Sequence, residues 1–258
     1  MSLIDLVKPH IRDLAPYEPG KPMEEVEREL GIRDSIKLAS NENPLGPSPK
    51  AVEAMREMAA NVHRYPDGAS FALRAKLAER LHVQENQLVF GTGADEILEL
   101  IAKTLMGPGD EVVYGWPSFA MYPIVIKGMG ATGVPVPLDA SFVHDLEAMA
   151  RAVTPRTRVV MLCNPNNPTG TSVGAEAFER FVSELPEDVV LAVDEAYFEF
   201  ARREDLPVTD WTVLVPEMVC VDGHNVFAGG EMRTDCVQLR LKRVGLTGRS
   251  GAMFDDGR

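Results

Sequence analysis

The chain has little cysteine, little tryptophan and no surplus of positive charge. Its three cysteines, Cys163, Cys220 and Cys236, show no paired close spacing, which excludes a disulfide framework and fits a reducing compartment. Five histidines form no H-x-x-x-H or Cys/His cluster, so the sequence offers no structural zinc site. Basic residues number 26 against 39 acidic ones, a formal charge of −13. That balance disfavours nonspecific nucleic-acid binding and anionic membranes, although local groups can still hold a small phosphorylated ligand. No apolar run is long enough to span a bilayer, and the stretch Met1 to Lys8 lacks a secretory signal pattern. Repeats and low-complexity segments are also missing. The expectation is a soluble, acidic, cytoplasmic protein with neither nucleic-acid nor membrane partners.

What is present is ordinary globular composition, 45% hydrophobic and 25% charged, which argues against disorder as a whole-chain description. Residues 1–48 read as a Pro-rich N-terminal arm with a short helix from Glu24 to Leu30. Ser48-Pro49 then opens a helix, with Ser as N-cap, Pro at its first position and Val52, Met55, Met58, Ala59 and Val62 as its apolar stripe. A second helix covers Ser70 to Leu81. From there strands and helices alternate: Gln87–Phe90 strand, Ala94–Leu105 helix, Glu111–Tyr114 strand, Phe119–Lys127 helix, Gly133–Leu138 strand. The continuous apolar runs Arg158–Cys163 and Val189–Val193 flank a helical repeat, Ala175–Leu185. Runs without alternation suit strands covered on both faces, and the order predicts an α/β fold, a mainly parallel sheet with helices on both sides. Residues 49–214 make up this domain. The tail, residues 215–258, holds seven Gly and six acidic against six basic residues. Met218–Val221 resembles a strand, Val237–Val244 is a weak basic alternation, and the tail reads as divergent and disordered.

Three turns carry polar chemistry. Gly91-Thr-Gly93-Ala-Asp95-Glu96 lies between a strand and a helix, but Glu96 stands where a dinucleotide fingerprint needs its third glycine. It is either a plain strand-to-helix turn or a helix N-terminus holding a phosphate. Asn164-Pro-Asn166-Asn167-Pro-Thr169-Gly170 follows a buried strand and is either a simple turn or a polar pocket at the edge where open parallel sheets bind ligands. Asp194, in Val193-Asp194-Glu195-Ala196-Tyr197, ends an apolar run. It is either a solvated strand end or capping residue, or a carboxylate facing a cationic cofactor atom.

Leu38-Ala-Ser-Asn41-Glu-Asn43-Pro-Leu-Gly46, Arg64-Tyr65-Pro66-Asp67 and the three turns occur in one order. Over residues 5–214 the chain resembles pyridoxal-phosphate-dependent aminotransferases of fold type I, most closely the histidinol-phosphate aminotransferases. The resemblance implies the large domain of that fold and pyridoxal 5′-phosphate as cofactor. It also implies amino transfer between histidinol phosphate or imidazole acetol phosphate and the glutamate/2-oxoglutarate pair, in histidine biosynthesis. A related phospho-amino-acid aminotransferase or decarboxylase is the alternative within the fold. By resemblance the Ala94 and Asp95 amides hold the cofactor phosphate. Phe119 stacks on the ring, though as a core Phe it has an equally plain role. Asn167 and Tyr197 bond the phenolic oxygen, and Asp194 keeps the ring nitrogen protonated. Tyr65 reaches the phosphate across a homodimer, and Tyr17 is either a substrate-side tyrosine or a surface residue.

The resemblance stops before the lysine that forms the Schiff base. Its place falls near Val226, where none stands, and the one lysine after Asp194 is Lys242, with the wrong spacing and context. The downstream arginines and the small C-terminal domain have no counterpart, so the large domain is expected to be truncated and the Gln87–Phe90 strand to lack its neighbour. A reading-frame change near residues 215–223 would produce such an abrupt end. The competing expectation to an active transaminase is therefore a catalytically dead fragment or noncatalytic partner.

Overall fold

The computed structural model describes residues 2–38, 40–43 and 45–201, with the backbone of strands at 218–222 and 238–243. These residues divide into two compact units, one spanning 15–65, the other combining 1–14 with the sheet from Pro66 onward.

In the 15–65 unit, helix α2 (Met23–Leu30) ends at Gly31, whose φ of +67° is a left-handed cap that favours glycine. Glu27 reaches from that helix to the Ser35 N–H and hydroxyl, at 2.8 and 3.0 Å. Helix α3 (Pro49–Ala59) starts where Ser48-Pro49 predicts, yet it has no buried residue and leaves Met55 and Met58 exposed. Its apolar stripe is not part of the sheet's core. The two units divide between Tyr65 and Pro66.

The other unit begins with α1 (Pro9–Arg12). It then contains α4 (Phe71–Leu81), β1 (Leu88–Gly91), α5 (Gly93–Leu105), β2 (Glu111–Trp116), α6 (Met121–Gly128), β3 (Thr132–Pro137), α7 (Leu146–Arg151), β4 (Thr157–Cys163), α8 (Ala175–Glu184), β5 (Val190–Asp194), β6 (Met218–Asp222) and β7 (Gln238–Arg243). Helix α5 stops at Gly107-Pro108-Gly109, where Pro cannot continue the ladder and Gly109 takes a φ of +96°. Helix α7, short and not anticipated, is opened by Asp145, whose carboxylate accepts from the Ala148 N–H at 2.8 Å. The Arg74 guanidinium of α4 donates to the Glu85 and Leu88 carbonyls and lies over the Phe90 ring, tying α4 to β1.

The strands form one sheet in the order β1-β6-β7-β5-β4-β2-β3, with β7 antiparallel to both neighbours and every other pairing parallel. The apolar runs of β2, β4 and β5 alternate between two covered faces. Val112, Tyr114, Val159, Met161, Cys163 and Ala192 pack under α5 and α6. Val113, Val160, Leu162, Leu191 and Val193 pack under α7 and α8. Each fully buried aliphatic side chain, such as Leu98 or Ile126, contributes roughly 2 kcal/mol by leaving water.

Two sequence expectations change here. β1 does have a neighbour, because β6 pairs with it in parallel from Leu88–Val219 to Gly91–Asp222. The tail is not wholly irregular either: β6 and β7 are inserted between β1 and β5, which the weak basic alternation of β7 did not reveal. The rest of the expected disordered tail, 215–217, 223–237 and 244–258, lies outside the described residues.

Candidate active site at the carboxyl edge of the sheet

Because β1, β2, β4 and β5 run in the same direction, the turns singled out in the sequence share one edge. Asp194 is the last residue of β5, 2% exposed, and by alternation it falls on the α5/α6 face with Ala192 and Cys163. Its carboxylate accepts the Tyr122 hydroxyl at 2.8 Å and the Ala196 N–H at 3.1 Å. Among the described residues no lysine or arginine pairs with it. Burial pushes the Asp194 pKa up, the two hydrogen bonds oppose that, and the nearby Asp95 charge adds to it. Burial, with the charge of Asp194, also pushes the Tyr122 hydroxyl well above its ordinary range. The Cys163 thiol, level with Asp194 across the β4–β5 pair, is raised by the same two causes. Tyr122 is therefore a neutral donor whose bond orients the carboxylate. The sequence reading did not single it out: it sits 72 residues before Asp194 and looks like one more core aromatic on α6.

The turn after β4 is fastened by its own amides. Asn164 N–H donates to the Asp194 carbonyl at 2.9 Å, and the Asn164 side chain accepts from Val173 N–H at 3.0 Å. Asn166, 2% exposed, accepts from the Ser118 hydroxyl at 2.7 Å and donates to the Pro117 carbonyl and the Thr169 hydroxyl. Two of the three Asn side chains are thus used in the scaffold. Asn167 is half-buried, its backbone N–H meets the Cys163 sulfur, and its side-chain amide makes no hydrogen bond with the described residues. The polar-pocket reading of this turn therefore reduces to one amide.

Ala94 and Asp95 occupy the first turn of α5, where backbone N–H groups lack intrahelical acceptors. Glu96 folds back at that turn and accepts both the N–H and the hydroxyl of Thr92, so it caps the helix where a dinucleotide motif would carry glycine. Phe119 is half-buried, edge-on to Tyr122 with centroids 5.9 Å apart, which places it one ring away from Asp194. Tyr197, also half-buried, follows Asp194 by three residues and is tilted against Phe200. Tyr17 and Tyr65 belong to the 15–65 unit, and both are exposed. Val226 lies outside the described residues. Lys242 stands opposite Leu191 in the β5–β7 register, while Leu239 stands opposite Asp194. Three residues of strand, about 10 Å, separate its position from the carboxyl edge.

The residues fit pyridoxal phosphate. A buried carboxylate bonded only by neutral donors suits a protonated ring nitrogen, a lone half-buried amide suits a ring oxygen, and a helix N-terminus suits a phosphate. Among the described residues no group of three His, Cys, Asp or Glu could hold a metal ion.

Residues 33–224 match the family described as aminotransferase class I and II. The histidinol-phosphate aminotransferase 2 of Methylococcus capsulatus is 47% identical over 85% of this chain and 61% of its own length. That of Moorella thermoacetica is 50% identical over 76% of this chain and 51% of its own. The solved histidinol-phosphate aminotransferase of Sinorhizobium meliloti, in complex with pyridoxal 5′-phosphate, superposes with a TM-score of 0.74 at 29% identity, covering 84% of this chain and 58% of that one. The chain thus spans between half and about three-fifths of the length of these relatives. With a matched region covering most of its length and its polar turns gathered on one sheet edge, the chain belongs to the class I and II aminotransferases.

Proposed function

We propose that this chain carries the cofactor-binding half of a pyridoxal-phosphate-dependent histidinol-phosphate aminotransferase, a homodimeric cytoplasmic enzyme of histidine biosynthesis. The observation that carries this reading is the buried Asp194 carboxylate at the end of β5, with Tyr122 and Ala196 as its donors and no cation beside it among the described residues. When bound, the cofactor supplies an electron sink for the substrate's α-carbon. Asp194 holds a proton on the ring nitrogen, and Tyr122 fixes the carboxylate's orientation. Asn167 and Tyr197 bond the ring oxygen, Phe119 covers a ring face, and the Ala94 and Asp95 N–H groups bind the phosphate. Tyr65 reaches the phosphate across the dimer, and Tyr17 lies on the substrate side. The substrate pair is histidinol phosphate or imidazole acetol phosphate with glutamate or 2-oxoglutarate.

The one lysine after Asp194, Lys242, stands opposite Leu191, three strand residues from the carboxyl edge, which speaks against its bonding the cofactor and moving the α-proton. We therefore read the chain as able to bind the cofactor and unable to complete the transfer. Purified protein is titrated with pyridoxal phosphate, reduced with borohydride and peptide-mapped, then assayed with histidinol phosphate and 2-oxoglutarate. Expected are saturable binding, weakened about tenfold or more by Asp194→Ala, no stoichiometric adduct at Lys242, and no turnover. Absence of saturable binding overturns the cofactor assignment, and a stoichiometric Lys242 adduct overturns the inactivity.

A further inference from the structure

His144 belongs to none of the motifs above, yet it is 5% exposed and sits beneath the turn that carries Asn167. It stands in the segment between β3 and α7, and its ring occupies the slot left by Gly115 of β2. A Cβ on Gly115 would fall 2.0 Å from His144 Nδ1 and 2.5 Å from Cε1, so strand and ring fit only because residue 115 is glycine. His144 Nε2 lies 3.0 Å from the carbonyl oxygen of Cys163, the last residue of β4. A carbonyl can only accept, so Nε2 carries the proton. Nδ1 makes no hydrogen bond with the described residues and faces the Gly115 backbone. A proton added there would be a buried donor with only the Asn166 side-chain oxygen, already taken by the Ser118 hydroxyl, to turn to.

We propose that His144 is a positioning residue: its neutral, Nε2-protonated ring fills the Gly115 slot and clamps the end of β4, holding the Asn164–Thr169 turn against the Asp194 strand end. The clamp acts from the α7/α8 face, and Tyr122 acts on Asp194 from the opposite one. Between them they fix the β4–β5 edge, where Asn164 N–H meets the Asp194 carbonyl.

The titratable groups around the ring agree with a neutral form. Asp139 and Asp145, on the ring's own segment, are spent on backbone N–H groups of Ser141, Val143 and Ala148. Glu147 of α7 and Arg180 and Glu184 of α8 line the neighbouring cavity of about 540 Å³. From β4 the Cys163 thiol stays protonated, and β2 presents only Gly115. Burial pushes the His144 pKa down, opposed in part by the Cys163 carbonyl and Asn166.

The proposal depends on the cofactor reading only for what the turn holds, so its test has parts that need no cofactor. On the full chain, ¹⁵N spectra of the His144 imidazole give the tautomer and its titration. Urea denaturation between about pH 5 and 8 is compared for wild type, His144→Gln and His144→Leu, together with pyridoxal-phosphate titrations. Gln can donate to the Cys163 carbonyl without titrating, and Leu cannot donate. Expected are an Nε2–H ring that charges only below the ordinary histidine range, and a His144 contribution to the wild-type midpoint that falls with acidification, opposite in sign to that of Asp194. In His144→Gln much of that fall should vanish while cofactor affinity stays within about threefold, whereas His144→Leu should lose about tenfold. An Nδ1–H tautomer, a charged ring at neutral pH, or a His144→Leu protein with wild-type affinity and pH profile overturns the proposal. If wild type binds no cofactor, the functional reading falls, and the spectra and denaturation curves still decide the role of His144.

Discussion

A buried carboxylate bonded only to a tyrosine hydroxyl and one backbone N–H is a liability until a cation arrives. Burial raises the Asp194 pKa, so the folded chain keeps the proton at pH values where the unfolded chain has lost it. The stabilising contribution is therefore full below the ordinary carboxylate range and is lost as pH rises through the folded value. At neutral pH the cofactor-free chain is destabilised by this group. Asp194→Asn can still accept from the Ala196 N–H and donate to Tyr122, and it carries no charge. It should raise the denaturation midpoint of the cofactor-free chain at pH 7 to 8, by about 1 kcal/mol, while weakening pyridoxal phosphate. A lower cofactor-free stability across that range would contradict the assignment. Tyr122→Phe should act differently, leaving Asp194 one donor short and costing about 1–3 kcal/mol, checked by the same denaturation series. Asp194 was legible in the sequence because a charge at the end of an apolar run demands an explanation. Tyr122 was not, because nothing local marks which buried tyrosine will face a carboxylate on another element.

The main elements of the sheet unit were legible from periodicity: α5, α8, β4 and β5 lie within a residue or two of their expected ends. Short elements whose partners are distant were not. Helix α7 has only six residues, too few for a periodic stripe, and it is defined by the Asp145 cap. Nor could the pairing of Gly115 with His144 be read, since a glycine in a strand signals close approach without naming what approaches. That pairing makes a coupled prediction. Gly115→Ala alone should destabilise by roughly 1–3 kcal/mol, because the ring has to leave a packed slot. Combined with His144→Ala, the added methyl should cost far less than it does in wild type, a coupling readable in a double-mutant cycle of urea midpoints. Purely additive effects would mean that strand and ring do not share the slot.

At the scale of the molecule the sequence supported the family and the mainly parallel sheet, and it misjudged what closes that sheet. The tail is charge-balanced and glycine-rich, and its second strand, Gln238–Arg243, alternates basic and apolar residues in a way that reads as solvent-facing. Yet β6 and β7 lie between β1 and β5, so both of those strands owe an edge to residues beyond 214. Without the tail, β5 would present unpaired those N–H and C=O groups from Val190 to Asp194 that face away from β4, and β1 would present unpaired the groups from Leu88 to Gly91 that β6 now meets. Such edges are templates for pairing with other chains. A protein ending at Leu214 should therefore self-associate in a concentration-dependent way, and its remaining monomer should unfold at lower urea than the full chain. Light scattering across a dilution series, with circular dichroism through a urea gradient, reads both. If the shortened protein were monomeric with an unchanged midpoint, β6 and β7 would contribute nothing to the sheet, and the site edge at Asp194 would have to be held by β4 and its turn alone.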